Sequence, residues 1–386
     1  MTALGAARRA CIVGVGNTEF SRDSGRSVNR LAFDAIKAAA SDAGIDPRMI
    51  DGIVPFMHGP SAEDVMVMLG LGDARFTSVP HLGGAGSVAA VRIAALAIET
   101  GQADYVVAFV ARNGRSGARV DKRVQTLPGQ AIRQELEWVN GMNTPAQWYS
   151  LICRRHMHEF GTTREALGTV ALTMRENAQG NENAQMRGRL LTMEDYLSAP
   201  VVADPYLLYD CCLETDGACA VILTSSERAR DCPALPAMIE GAAEGHPESP
   251  DDIGNRADIF ETGLGKAAPR AFAAAGLTPR DVDVALIYDC FTFEVIQQLE
   301  EAGFCGRGEG GPFVLDGNIA ASGSLPVNPH GGLLSEGHIG GMNHVIEAVR
   351  QLRGACGPRQ VVDAEVAVVT GWGDMGDGTI AVLTRG

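Results

Sequence analysis

Side chains able to move protons gather towards the C-terminus of this sequence. Tyr288 and Asp289 open the run Tyr288-Asp289-Cys290-Phe291. His330 sits in Val327-Asn328-Pro329-His330-Gly331-Gly332, and His338 ends Glu336-Gly337-His338. An imidazole can act as acid or base near neutral pH. A phenol can donate to an oxyanion or exchange a proton with a nearby alcohol. His338 is read as a functional histidine opening a helix, and Tyr288 as a functional tyrosine ending a core strand. Asp289 is read as orienting a neighbour or the backbone. His330, flanked by glycine, is either a second base or a loop residue bonded to backbone.

Other candidates carry less. His156 and His158 are two apart on a helical stretch, so they point to different faces and make a poor metal pair. His58 follows a strand and could face the pocket, with the packing or surface reading favoured; His246 and His344 are read as surface or packing residues. Gly14-Val15-Gly16 follows a strand but lacks the third glycine and the later acidic residue of a dinucleotide site. Nine cysteines occur without metal-ligand spacing. Scattered among apolar residues, they read as reduced side chains of a cytoplasmic protein.

These residues must be held by regular elements, and the chain spells the elements twice. Ala10–Val15 reads as a strand. Val28–Ala43 has apolar residues at helical spacing and is stopped by Gly44. Ile50–Phe56 is a strand, Gly86–Thr100 an apolar helix, and Tyr105–Ala111 another strand. Further on, a helix over Ala267–Ala275 leads to Gly276-Leu277-Thr278-Pro279-Arg280 and a strand over Val282–Tyr288. This parallels Gly44-Ile45-Asp46-Pro47-Arg48 in order and content. A helix over Gly341–Leu352 and a strand over Glu365–Thr370 complete the repeat. The expectation is an α/β protein of two similar halves, 1–232 and 233–386, with mixed, largely parallel sheets. The polar, helical stretch 113–205 reads as an insertion leaving the first half.

The chain has 386 residues, 46% of them apolar, 20% charged, with a net charge of −15. It is long enough for a large core and too acidic for a general nucleic-acid surface. No apolar run is long enough to span a bilayer, and the first nine residues are too short and polar for a signal peptide. Arg112, Arg115, Arg119, Lys122 and Arg123, with Arg154 and Arg155, form either a solvated charged face or a patch for an anionic ligand.

The C-terminal strings resemble thiolases, which carry asparagine–proline–x–glycine–glycine followed by glycine–histidine–proline; here Ile339 replaces the proline. Asp216-Gly217-Ala218, Tyr288-Asp289-Cys290-Phe291 and Gly371 to Gly376 resemble further thiolase segments in the right order. The doubled α/β repeat is similar to thiolase architecture. Within the superfamily the resemblance is to the lipid-transfer-protein group, with the sterol carrier protein x thiolases and the bacterial steroid side-chain aldolases.

One departure changes the chemistry that the resemblance implies. The thiolase nucleophile, a cysteine at a helix start, would fall at Gly83 or Gly84. The second thiolase cysteine would fall near Thr370. Ser87 lacks a local base and is read as a cap or packing residue. Without a nucleophile no acyl-enzyme forms. The resemblance then implies a retro-aldolase cleaving a β-hydroxyacyl-CoA thioester, possibly of a steroid or other lipid side chain. Two alternatives stand beside it: an acyltransferase with an atypical nucleophile, and a non-catalytic acyl-CoA-binding or scaffold subunit. CoA would enter as part of the substrate, with no permanently bound cofactor or metal. The steroid aldolases carry a second tyrosine where this chain has His338. The resemblance further implies a homodimer, to which the apolarity of Gly86–Thr100 also points. It implies as well a small separate partner with an OB-fold and a zinc ribbon, since no such module is expected within this chain.

Overall fold

Near-continuous apolar runs make strands that bury both faces, and these strands assemble into one continuous sheet. The computed structural model describes residues 8–124, 130–249, 253–373 and 376–386. In chain order the strands are β1 (Ala10–Asn17), β2 (Gly52–Pro55), β3 (Phe76–Thr77), β4 (Tyr105–Asn113), β5 (Val201–Ala203), β6 (Tyr206–Leu207), β7 (Asp216–Ser225), β8 (Ala237–Gly245), β9 (Val284–Leu286), β10 (Val366–Trp372) and β11 (Gly378–Arg385). Nine of them form one sheet in the order β3-β2-β4-β7-β1-β8-β11-β10-β9, while β5 and β6 pair separately.

The order is the same read outwards from the centre in both directions. β1-β7-β4-β2-β3 on one side matches β8-β11-β10-β9 on the other, with a single parallel bridge from Ala285 to Val327 where β3 would be matched. Among the described residues, the strands of the two series pair at Cys11–Met238 and Ile12–Ala237. The repeat seen in sequence extends to its turns. Gly44 and Gly276 both cap their helices in the left-handed region, at φ 69° and 67°. Each is followed by a short 3-10 turn, Pro47–Met49 and Pro279–Asp281.

The sheet is mixed, but the expectation that it is largely parallel is corrected. Among the described strands of the large sheet, β2–β3, β2–β4 and β9–β10 are parallel, and the other pairs are antiparallel. The cause is that the last strand of each series, β7 or β11, returns between two neighbours that run against it.

Three layers of helix follow from the period-two burial of the strands. Cys11, Val13, Ile53, Val107 and Ile222 face the helix Val28–Ala43. Ala285, Val368, Ile380 and Val382 face the helix Gly263–Ala275. The opposite faces, with Ile12, Val54, Val106, Val284 and Val369, share one core with the helices Gly86–Glu99 and Met342–Leu352. The apolarity of Gly86–Glu99 is thus accounted for inside a single chain. It does not call for a second copy, as the sequence had suggested.

The region between β4 and β7 crosses over to pack on the other series. Trp148, Ile152, Leu167 and Met174, from the helices Pro145–Phe160 and Arg164–Asn177, join one core with Phe293, Ile296 and Leu333. Asp216 fixes the point of departure. Its carboxylate accepts the N–H groups of Ser24, Arg115 and Ser116 at 3.1, 2.9 and 3.0 Å.

Gly14 and Gly16 have a packing role. A Cβ on Gly14 would fall onto the carbonyl oxygen of Ala39, and one on Gly16 onto the nitrogen of Ala39. Gly241 makes the same close approach to Ala271 in the second series. Gly14→Val should therefore lower the unfolding free energy by about 1–3 kcal/mol. Denaturant titration checks this, and unchanged stability would show that the helix is free to shift.

Candidate active site

The parallel strands β2 and β4 of one series, and β9 and β10 of the other, end at the same cavity. Phe56, Met57 and His58 follow β2, Arg112 is near the end of β4, Tyr288 follows β9, and Trp372 ends β10. Gly83 and Gly84 precede one central helix, and His338 precedes the other. The cavity is open on one side, and its space of about 660 Å³ runs partly into solvent. Val120, Arg123, Val124, Pro145, Tyr149 and Cys212 close it from the crossing-over region. In open α/β sheets, strand carboxyl ends are where ligands usually bind.

Tyr288 is held by its backbone. Its N–H donates to Thr370 Oγ1 at 3.1 Å, Gln298 Nε2 donates to its carbonyl at 2.7 Å, and Thr370 Oγ1 donates to Gln298 Oε1 at 2.7 Å. Thr370, where a second thiolase cysteine would stand, thus has a structural task. One residue earlier, Asn328 clamps Ile287, accepting from its N–H and donating to its carbonyl, both at 2.8 Å. The asparagine of the Asn328-Pro329 motif therefore fixes the segment that carries the tyrosine.

His338 lies in the connection before the helix Met342–Leu352 and not at its first turn, because Gly340 and Gly341 take φ 60° and 84°. Its N–H donates to Thr215 Oγ1 at 2.9 Å. Its ring joins two side chains: Nε2 is 2.9 Å from Tyr288 Oη, and Nδ1 is 3.4 Å from Cys212 Sγ. Burial first, then the charges of Arg112 and Arg123, push the imidazole well below its ordinary 6.5. It is neutral at physiological pH, with a lone pair to offer. Burial pushes the Cys212 thiol up to about 12, so it stays protonated and is a poor nucleophile.

Two predicted residues fall elsewhere. His330 is fully buried and does not line the cavity. Its Nε2 is 2.9 Å from His344 Nδ1 and 3.6 Å from Glu336 Oε2. It is therefore not a second base, because the loop folds it inward against remote partners. Asp289 also lies behind the wall. Its carboxylate accepts the N–H groups of Leu333 and Leu334 at 2.8 and 3.2 Å, and His344 Nε2 lies 3.1 Å away, off the line of a hydrogen bond. It orders the loop leading to His338.

Of the two glycines where the nucleophile was expected, Gly84 has no room for a side chain. A Cβ on Gly84 would fall against the carbonyl oxygen of Trp372 and within 2.5 Å of Tyr288 Oη. The phenol occupies the room a side chain there would need. Ser87 is buried and donates to the Gly340 carbonyl at 2.5 Å, which leaves it a structural role.

The basic cluster divides. Arg119, Arg154 and Arg155 pair with Glu214, Asp204 and Glu159. Arg112 and Arg123 line the cavity. Sequence reading missed Cys212, Tyr149 and Trp372, and set aside His58. Of these only His58 gives a backbone sign, a positive φ of 64°, of the kind that collects at functional sites. Asp374 and Met375 of the glycine-rich loop lie outside the described residues. Among those described, no group of three acidic, histidine or cysteine side chains is placed to hold a metal, and no helix is long and apolar enough to cross a membrane.

A doubled α/β chain with its cavity between matching strand ends, and a helix start facing that cavity, defines a thiolase fold. A family model described as "Thiolase C-terminal domain-like" matches residues 245–385. The chain belongs to the thiolase superfamily, in the group of the sterol carrier protein thiolases. A protein of Thermomonospora curvata named steroid side-chain-cleaving aldolase is 41% identical over 378 residues, covering 94% of this chain and 95% of its own length. A Mycobacterium tuberculosis protein named 17-hydroxy-3-oxo-4-pregnene-20-carboxyl-CoA lyase is 42% identical, covering 90% and 92%. The solved structure described as Ltp2-ChsH2(DUF35) aldolase superposes with a TM-score of 0.92 at 40% identity, covering 98% of each chain.

Gly84→Ala should push the Tyr288 ring aside and lower turnover about 100-fold, the scale of an ångström-sized misplacement. Steady-state kinetics with a structure of the variant checks this, and full activity with an unmoved ring would contradict it.

Proposed function

We propose that this protein is a carbon–carbon lyase that cleaves a β-hydroxyacyl-CoA thioester by a retro-aldol step, with a steroid side chain as the acyl group. The observation that carries the reading is the Tyr288–His338 pair, whose phenol stands where a side chain at Gly84 would have to go. The names of the two relatives supply the substrate class. The apolar lining, with Phe56, Met57, Tyr149, Phe291 and Trp372, suits a flat hydrocarbon skeleton.

The steps follow from proton availability. Neutral His338 accepts the phenol proton of Tyr288 at Nε2 as the phenol oxygen takes the proton of the substrate β-hydroxyl. The freed oxygen lone pair becomes the new carbonyl bond. The Cα–Cβ pair moves to Cα as the enolate of a shorter acyl-CoA. The proton returns to Cα, so none is gained or lost overall. An acyltransferase would need an activated thiol, and the buried Cys212 thiol is pushed up to about 12, away from activation.

The same reading extends to assembly. The solved relative's description pairs Ltp2 with a second component, ChsH2(DUF35). A homodimer joined by such a partner, carrying the OB-fold and zinc ribbon implied by the sequence resemblance, is the proposed working form. Exposed apolar side chains on the crossing-over region, among them Val139, Leu190, Val201, Val202 and Leu208, offer it a docking face.

Incubation with a 17-hydroxy steroid carboxyl-CoA should release a steroid ketone and a shorter acyl-CoA. Tyr288→Phe and His338→Ala should each slow this by about 100-fold or more. Normal rates in both folded variants would sink the mechanism. A stoichiometric acyl adduct on the protein, released by free CoA, would establish acyl transfer instead.

Size measurement of the chain with and without a DUF35-type partner protein tests assembly. A larger complex with higher turnover is expected, and a fully active monomer indifferent to the partner would refute it.

A further inference from the structure

Arg112 stands in the cavity without an opposing charge. It lies near the end of β4, on the face turned towards the central helices, and stacks over the Phe56 ring at 5.2 Å. No aspartate or glutamate is among the described residues lining the cavity. Every other arginine there has another use, since Arg123 donates to the carbonyls of Gly114 and Ala118. Arg112 has no ion pair or hydrogen-bond partner among the described residues. Burial is the main force drawing it down to about 10, with Arg123 adding to it, so it keeps its charge at neutral pH.

A guanidinium half-buried in a cavity and left unpaired is costly. The fold nevertheless keeps space for it. A Cβ on Gly340 would fall 2.7 Å from Arg112 Nη2. Ser87 holds the Gly340 carbonyl in place at 2.5 Å. The charge is close enough to Tyr288 and His338 for each to feel it electrostatically. A cation preorganised beside the proton-transfer pair matches an anion that exists only during the reaction.

Resting on the lyase reading above, we propose that Arg112 is a catalytic residue that holds the thioester oxygen as it becomes the enolate oxygen. When the Cα–Cβ bond breaks, its electron pair delocalises onto that oxygen, and the guanidinium N–H groups donate to it. When Cα takes its proton, the pair returns and the thioester carbonyl reforms. The same charge adds to the burial that keeps His338 unprotonated beforehand, so one side chain both helps ready the base and receives the product anion. A rival source for the anion is a phosphate of CoA, which also suits a guanidinium.

The test compares Arg112→Met and Arg112→Lys with the unmodified chain, each in complex with whatever partner activity requires. Three readouts are taken: cleavage of the β-hydroxyacyl-CoA, exchange of the Cα proton into D2O for an analogue lacking the β-hydroxyl, and cleavage of the matching N-acetylcysteamine thioester, which has no phosphate. Arg112→Met should slow cleavage and exchange alike by about 100-fold or more, and Arg112→Lys should slow both by less. The loss should persist in full with the phosphate-free thioester. The acid limb of the pH–rate profile should move to higher pH, because His338 is relieved of a neighbouring charge. Wild-type cleavage and exchange in folded Arg112→Met would overturn the inference alone. So would a loss confined to KM, or one that vanishes with the phosphate-free substrate. If Arg112→Met does not fold, Arg112→Lys with unchanged cleavage and exchange overturns it equally. Neither cleavage nor exchange by the unmodified chain would overturn the lyase reading, and this inference with it.

Discussion

The 2.9 Å contact between Tyr288 Oη and His338 Nε2 is the constraint around which the rest of the molecule is arranged. Neither ring lies within a regular element. Tyr288 follows the last residue of β9, and His338 sits in a connection between two helices. Their separation is therefore set by loops, and the loops are set by buried side chains. Asn328, Thr370 and Gln298 replace the missing ladder bonds around Tyr288. Asp289 and Thr215 do the same on the His338 side. Much of what reads as motif in this sequence is scaffolding for one hydrogen bond.

The fold explains why such a site can exist. Two series of strands with a common order meet at β1 and β8, and their helices share a central layer. Each cavity wall then comes in pairs. The segment after β2 faces the segment after β9, the end of β4 faces the end of β10, and the turn at Gly84 faces the turn at His338. Chemistry has been distributed unequally between equivalent places. One series supplies the proton-transfer pair, while the other supplies the charge of Arg112 and the empty position. The crossing-over region adds the apolar walls.

Most of this framework was legible in the sequence because it rests on local signals. The helix Val28–Ala43 begins and ends where it was expected, since Ser27 caps it and Gly44 takes the left-handed conformation. Tyr288 and His338 stood out because their motifs keep chain order. What was hidden depends on distance in the fold. His330, flanked by glycines, looks like a site residue, yet His344 and Glu336 draw it inward. Cys212 carries no motif and meets His338 only after the whole region between β4 and β7 has crossed the molecule. Arg112 could not be separated from its basic neighbours, because only the fold shows which of them meet acids, as Arg119, Arg154 and Arg155 do, and which line the cavity, as Arg112 and Arg123 do. The apolar helix Gly86–Glu99 misled for a related reason, since a central layer and a subunit interface share one composition.

The room shared by Gly84 and Tyr288 bears on how this chemistry could arise. One volume is contested by two positions that lie far apart in the chain, on different series of strands. A side chain at 84 would meet the Tyr288 ring and the Trp372 carbonyl together, so position 84 stays bare while both remain in place. Gaining a nucleophile there would take changes at two further places in the other series, and packing therefore holds the site to chemistry that works without one.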